Sequence, residues 1–219
     1  MMRLFLFRQL WLIISLTTAA VAAPEKWVDE ISKLTKDDST HAIEPGAVVF
    51  VGSSSIKLWK SLTADFPGIR VINRGFGGSE LADSVYYAER IVLPYRPKSV
   101  VLYAGDNDIA GGKSAEAVAA DFKAFREKVH HALPDTHIYY LSIKYSPSRA
   151  KFKASMRQAN QLIAADCAQA RNCTFVDVNT PMLNAAGEPR PELFRDDLLH
   201  MQPAGYAIWT KQLQPLLQR

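Results

Sequence analysis

The chain has 219 residues, 48% of them hydrophobic and 22% charged. That is enough apolar content to bury a sizeable core, and it excludes a disordered, collagenous or coiled-coil protein. Twenty-six Lys and Arg against 22 Asp and Glu give a formal +4; Arg3 and Arg8 lie in a stretch that reads as removable, and the about +2 that remains is too little to argue for a nucleic-acid or anionic-membrane partner.

That first stretch carries its two arginines ahead of the apolar run Leu10-Trp11-Leu12-Ile13-Ile14-Ser15-Leu16 and ends in Ala20-Val21-Ala22. A charged start, a short apolar stretch and a small-residue cleavage site predict a signal peptide over 1–22, cut after Ala22. The run is shorter than the roughly 20 residues that span a bilayer, so no stable membrane anchor is expected. The remaining 23–219 is expected to be a single domain, exported to the periplasm or secreted.

Along that domain, apolar runs of about five residues alternate with segments of helical spacing. Trp27, Ile31 and Leu34 share one face of a helix predicted over 25–36. Strands are predicted at Ala47–Val51, Ile69–Ile72, Ser99–Tyr103, His137–Leu141 and Thr174–Val178. Between and after them, helices are predicted over 56–65, 81–93, 114–133, 149–170 and 204–217, the last with Pro203 in its first turn and Tyr206, Trp209, Leu213 and Leu216 as its buried stripe. Unbroken apolar runs suit strands covered on both faces, so the pattern predicts an α/β protein: a three-layer α/β/α sandwich around a five-stranded parallel sheet. Ligands of such sheets bind beyond the carboxyl ends of the strands.

Cys167 and Cys173 stand at a predicted helix end leading into a strand. In an oxidising compartment they can close a small disulfide loop; otherwise they are two buried thiols. No metal site is expected, because two cysteines without a nearby His or second Cys pair are too few ligands for zinc.

Four segments fall at strand exits or late loops: Gly52-Ser53-Ser54-Ser55, Asn73-Arg74-Gly75-Phe76-Gly77-Gly78, Gly105-Asp106-Asn107-Asp108, and Asp196-Asp197-Leu198-Leu199-His200. Singly, these are ordinary capping and turn chemistry. The histidines discriminate. His41, His130, His131 and His137 are accounted for by loop, helix-end and strand-start positions, whereas His200 follows Asp197 by three residues in a loop. The Asp can there reach one ring nitrogen while the other faces a nucleophile, as a general base requires.

Together and in this order, the four segments resemble the SGNH hydrolases, or GDSL esterase/lipase family, and within it the platelet-activating-factor acetylhydrolase-like bacterial branch. The resemblance implies a flavodoxin-like fold and a serine ester hydrolase that needs no cofactor and acts on a small acyl-ester substrate. It makes Ser54 the nucleophile, Asp197 and His200 its partners, and Ser54, Gly78 and Asn107 the oxyanion hole. Ser53 and Ser55 replace the family's Asp and Leu, which leaves three adjacent serines in the first segment, and Asp196 is a second candidate partner for His200. Ile109 and Tyr145 are placed at the site edge as substrate contacts. No insertion is long enough for a lipase lid, which favours short, acetyl-type acyl chains. A lysophospholipase or thioesterase, a carbohydrate O-deacetylase and a non-enzymatic sugar-binding module are the alternatives. A dinucleotide fingerprint fails at Glu80, where a glycine is needed, and an EF-hand fails at Ala110 and Ala117. Nothing in the sequence indicates an oligomeric state.

Overall fold

Five runs rich in Val, Ile and Tyr form the strands β1 (Val48–Gly52), β2 (Val71–Gly75), β3 (Ser99–Tyr103), β4 (His137–Leu141) and β5 (Cys173–Val176). The structure, a computed structural model, describes residues 24–39 and 44–218; the expected signal peptide and His41 lie outside them. All strands pair in parallel in the order β2-β1-β3-β4-β5. This flavodoxin-like order has its switch point between β1 and β3, where a crevice opens beyond the strand ends.

The helices are α1 (Val28–Leu34), α2 (Ser54–Lys57), α3 (Leu62–Asp65), α4 (Leu81–Ile91), α5 (Asp106–Ala110), α6 (Ala115–Ala132), α7 (Lys153–Gln169) and α8 (Pro203–Leu217). Successive strand residues point to opposite faces, and the sheet sorts them accordingly. Val49, Val51, Val100, Leu102, Ile138 and Tyr140 pack with α1, α4, α6 and α7. Val48, Phe50, Val101, Tyr103, Tyr139 and Leu141 pack with α2, α3 and α8. On α6 the buried residues Ala115, Val118, Phe122, Phe125 and Val129 recur every three or four positions and form one stripe. The three-layer sandwich is therefore the architecture, with no helix among the described residues long and apolar enough to cross a membrane.

Four departures from the sequence reading have local causes. The helix expected over 56–65 is split into α2 and α3, because the chain turns at 58–61 to bury Trp59 among Phe50, Phe66, Tyr206 and Trp209. Trp59 Nε1 and Ser61 Oγ both donate to Asp65 Oδ2, at 2.6 and 2.7 Å, which closes that turn. The second strand runs to Gly75 rather than stopping at Ile72. As the sheet edge it tolerates Asn73, which donates to Ile56 O at 2.7 Å, and Arg74, which donates to Tyr95 Oη at 2.7 Å. The fifth strand ends at Val176, because Asp177 Oδ1 accepts the Asn179 and Thr180 amides and turns the chain. The helix expected from Arg149 begins only at Lys153, preceded by a 3-10 segment over Pro147–Phe152 in which Arg149 is non-helical (φ −117°, ψ 23°). Cys167 of α7 and Cys173 of β5 are joined as a disulfide.

Trp209 is fully buried, 4.7 Å from the Tyr103 ring and 5.8 Å from that of Trp59. Trp209→Ala is expected to destabilise the fold by about 3–5 kcal/mol, the usual cost of deleting a core aromatic, as read by urea denaturation.

Candidate active site

The crevice beyond the strand ends is built from the exits of β1, β2 and β3 and from one late loop. At the first exit Gly52 has φ +136°, and a Cβ there would lie 1.8 Å from Tyr103 O, so only glycine lets β1 leave the sheet this close to β3. Ser53 then donates its amide to Tyr103 O at 3.0 Å and α2 starts at Ser54. Of the three serines, Ser53 and Ser55 are buried at 0% and 1% exposure. Ser54 alone reaches the crevice, its Oγ 3.0 Å from His200 Nε2.

His200 and Asp197 come from a tight loop closed by the Phe194–Met201 bridge and by the Leu198 amide donating to Arg195 O at 2.8 Å. Asp197 Oδ2 lies 2.6 Å from His200 Nδ1, and its Oδ1 accepts the Leu199 and His200 amides at 2.9 Å each. The His200 hydrogen bond, aided by those amides, holds the Asp197 carboxyl well below the usual carboxylate range despite some burial. Asp197, rather than Asp196, is thus the partner of the imidazole. With the carboxylate on Nδ1, the ring is oriented to accept a proton at Nε2.

Gly78 lies in the second exit with φ +76°, a backbone state that side chains disfavour. The loop is pinned from α1: Glu30 Oε1 accepts the Gly77 amide at 3.1 Å and lies 2.7 Å from Lys57 Nζ. Asn107 sits in α5, a short helix that the sequence reading took for a loop. Its Nδ2 donates to Ser79 O at 3.0 Å, so the third exit is stitched to the second. Among the described residues no group of three or more His, Cys, Asp or Glu is placed to hold a metal ion.

The family model described as GDSL-like Lipase/Acylhydrolase matches residues 41–208. The chain belongs to this family. The acylhydrolase is a carboxylic ester hydrolase, and its fold is shared with solved structures of low sequence identity. A Streptococcus pneumonia protein described as a platelet activating factor is 21% identical, with TM-score 0.77 over 89% of this chain and 94% of that one. A GDSL-like lipase from Bacteroides thetaiotaomicron is 20% identical, with TM-score 0.73 over 86% and 97%. Axe2, an acetyl-xylooligosaccharide esterase from Geobacillus, is 18% identical, with TM-score 0.61 over 82% and 97%. No curated protein matches the chain.

The two residues expected as substrate contacts lie largely buried. Ile109 and Tyr145 are 2% and 8% exposed and pack into the core on the α4/α6/α7 face, because α5 turns Ile109 inward and Tyr145 is held by its amide on Asn179 Oδ1 at 2.7 Å. His130 and His137 bond to Thr136 O and Thr174 Oγ1, in keeping with structural roles. Sequence reasoning placed Asp106 and Lys144 near the site but missed Arg149 and the pairing of the three charged side chains around Asn107. Asp106 is 4% exposed and faces Lys144 Nζ and Arg149 Nη1, each at 3.3 Å. Burial pushes its carboxyl up, but the two cations outweigh burial and hold it below the usual range. The only signal available was the density of charged residues after β3 and β4, which their separation in sequence concealed.

Asp108 accepts the Leu81 amide on both oxygens, at 3.1 and 3.2 Å, and pairs with Lys113 at 3.2 Å. Burial is the larger influence and raises its carboxyl to about 6. Because this value lies above that of the unfolded chain, the group stabilises the fold at low pH, and that contribution is lost as pH rises from about 4 to about 6. Against Asp108→Asn, which does not titrate, the wild type is therefore expected to gain melting temperature as pH falls from 7 to 4.5. A pH-independent difference between the two would contradict this.

Proposed function

We propose that this acylhydrolase is an exported serine esterase acting on short-chain, acetyl-type esters through an acyl-enzyme. One observation carries the reading: the unbroken chain from Ser54 Oγ to His200 at 3.0 Å and from His200 to Asp197 at 2.6 Å. His200 Nε2 takes the Ser54 proton as Oγ attacks the ester carbonyl, while Asp197 stabilises the imidazolium through Nδ1. The tetrahedral oxyanion is met by the Ser54 and Gly78 amides and by Asn107 Nδ2. The first of these amides opens α2 and has no acceptor within the helix. Collapse expels the alcohol, which takes the proton from His200. Water, activated by the same imidazole, then releases the acid and restores Ser54.

Export is supported by the N-terminal pattern and by the Cys167–Cys173 bond, which suits an oxidising compartment. Short acyl chains are supported by the inward packing of Ile109 and Tyr145, which leaves neither side chain free to line a long apolar channel. A carbohydrate O-deacetylase is the second reading, favoured by the fold shared with an acetyl-xylooligosaccharide esterase.

Hydrolysis of p-nitrophenyl esters from acetate to palmitate tests the proposal. Turnover is expected to fall with chain length and to drop by at least about 10⁴-fold in Ser54→Ala. A preference for palmitate removes the short-chain assignment, and an unimpaired Ser54→Ala removes the nucleophile. Asn107→Ala is expected to lose about 10²–10³ in kcat while remaining folded by circular dichroism. Release of acetate from acetylated xylo-oligosaccharides at a kcat/KM well above that for p-nitrophenyl acetate would decide for the deacetylase.

A further inference from the structure

Asn107 is itself gripped from behind. Arg149 Nη2 donates to Asn107 Oδ1 at 2.7 Å, while Asn107 Nδ2 spends one hydrogen on Ser79 O at 3.0 Å. These two contacts fix which end of the amide is which: a flipped amide would place its NH₂ against a guanidinium and its oxygen against a carbonyl. One Nδ2 hydrogen remains, with a direction set by the plane of the amide.

The guanidinium is held in turn. Its Nη1 lies 3.3 Å from Asp106 Oδ2, and Asp106 also faces Lys144 Nζ, which donates to Tyr103 Oη at 3.2 Å. Asp106 and Lys144 are almost completely buried, with side chains 6% and 1% exposed, and Arg149 is 16% exposed. The guanidinium thus places a positive charge behind the amide in a medium where water screens little.

We infer that Arg149 is a positioning residue of the oxyanion hole, locking the Asn107 amide and polarising its free N–H toward the developing oxyanion. This rests on the assignment of Asn107 proposed above. A donor on Oδ1 draws electron density from the amide and strengthens donation from Nδ2, as in any chain of hydrogen bonds. The guanidinium charge adds a fixed field that needs no reorganisation when negative charge appears on the substrate. Arg149 touches no reacting atom in this scheme; it acts through Asn107. Loss of Arg149 leaves Asp106 facing Lys144 at 3.3 Å.

The test is a double-mutant cycle with Asn107, read on p-nitrophenyl acetate. Arg149→Ala is expected to lower kcat by about ten- to a hundredfold, leave KM within about twofold, and hold the melting temperature within about 4 °C. Arg149→Lys, which keeps the charge without the planar fork, is expected to recover part of the loss. In the Asn107→Ala background, Arg149→Ala is expected to cost less than about threefold, because there is no amide left to position. An equal loss in both backgrounds, or no loss in the wild-type background, overturns the inference. If Arg149→Ala does not fold, Arg149→Met, which keeps the stem but neither charge nor donor, carries the same cycle with the same criteria. A fully active Asn107→Ala overturns the oxyanion assignment and this inference together, whereas an impaired Asn107→Ala with additive Arg149 effects overturns this inference alone.

Discussion

The site depends first on how closely β1 and β3 approach where they leave the sheet. The Ser53 amide donates to Tyr103 O at 3.0 Å and the Phe76 amide to Gly52 O at 2.9 Å, so the exits of β3, β1 and β2 are tied to one another by main-chain bonds. Nothing with a side chain fits at Gly52, where a Cβ would meet Tyr103 O. Segments 52, 78 and 107 are neighbours because the sheet order puts their strands side by side, and the register carries Gly52 level with Gly75 and Tyr103. The positions of the nucleophile and of the proposed oxyanion donors are thus properties of the sheet, which is buried on both faces and hard to deform.

Three aspartates close to the site illustrate how environment, rather than residue type, sets behaviour. Asp197 keeps nearly half its side chain in solvent, yet its carboxyl is held low because an imidazole and two amides favour the charged form. Asp106 has no such access to water and stays ionised because Lys144 and Arg149 outweigh the cost of burial. Asp108, one residue beyond Asn107, has a single lysine contact and two bonds from one amide, and burial prevails. Asp108 joins α5 to the start of α4, so the proposed oxyanion hole is braced from below by a carboxyl that titrates in a mildly acidic range.

Much of this architecture was legible in the sequence because the relevant signals are local. Five apolar runs and the three-to-four spacing of Val118, Phe122, Phe125 and Val129 are imposed by burial on a repeating backbone, and burial is what composition records. The His200–Asp197 pairing was equally local, since three residues in a tight loop suffice to bring the side chains together. What could not be read is what depends on distant segments. Trp59 breaks a helix because Trp209 and Tyr206, some 150 residues later, enclose it. Ile109 and Tyr145 occupy the expected region but turn inward, since spacing along a short helix or loop does not say which way it faces. Arg149 and Asp106 are separated by 43 positions and meet only because β3 and β4 are adjacent.

The loop after β4 ties the two halves of the site together. The nucleophile and the proposed oxyanion donors ride on strand ends, but His200 rides on a loop whose own bonds are mostly to itself. Ser148 supplies a link from outside that loop: its amide and its Oγ both donate to Leu198 O, at 3.2 and 3.0 Å. The next residue, Arg149, donates to Asn107. Adjacent residues of one segment therefore contact the acid–base loop on one side and the proposed oxyanion donor on the other. The backbone of this 3-10 segment is non-helical at Arg149, the residue whose side chain reaches Asn107.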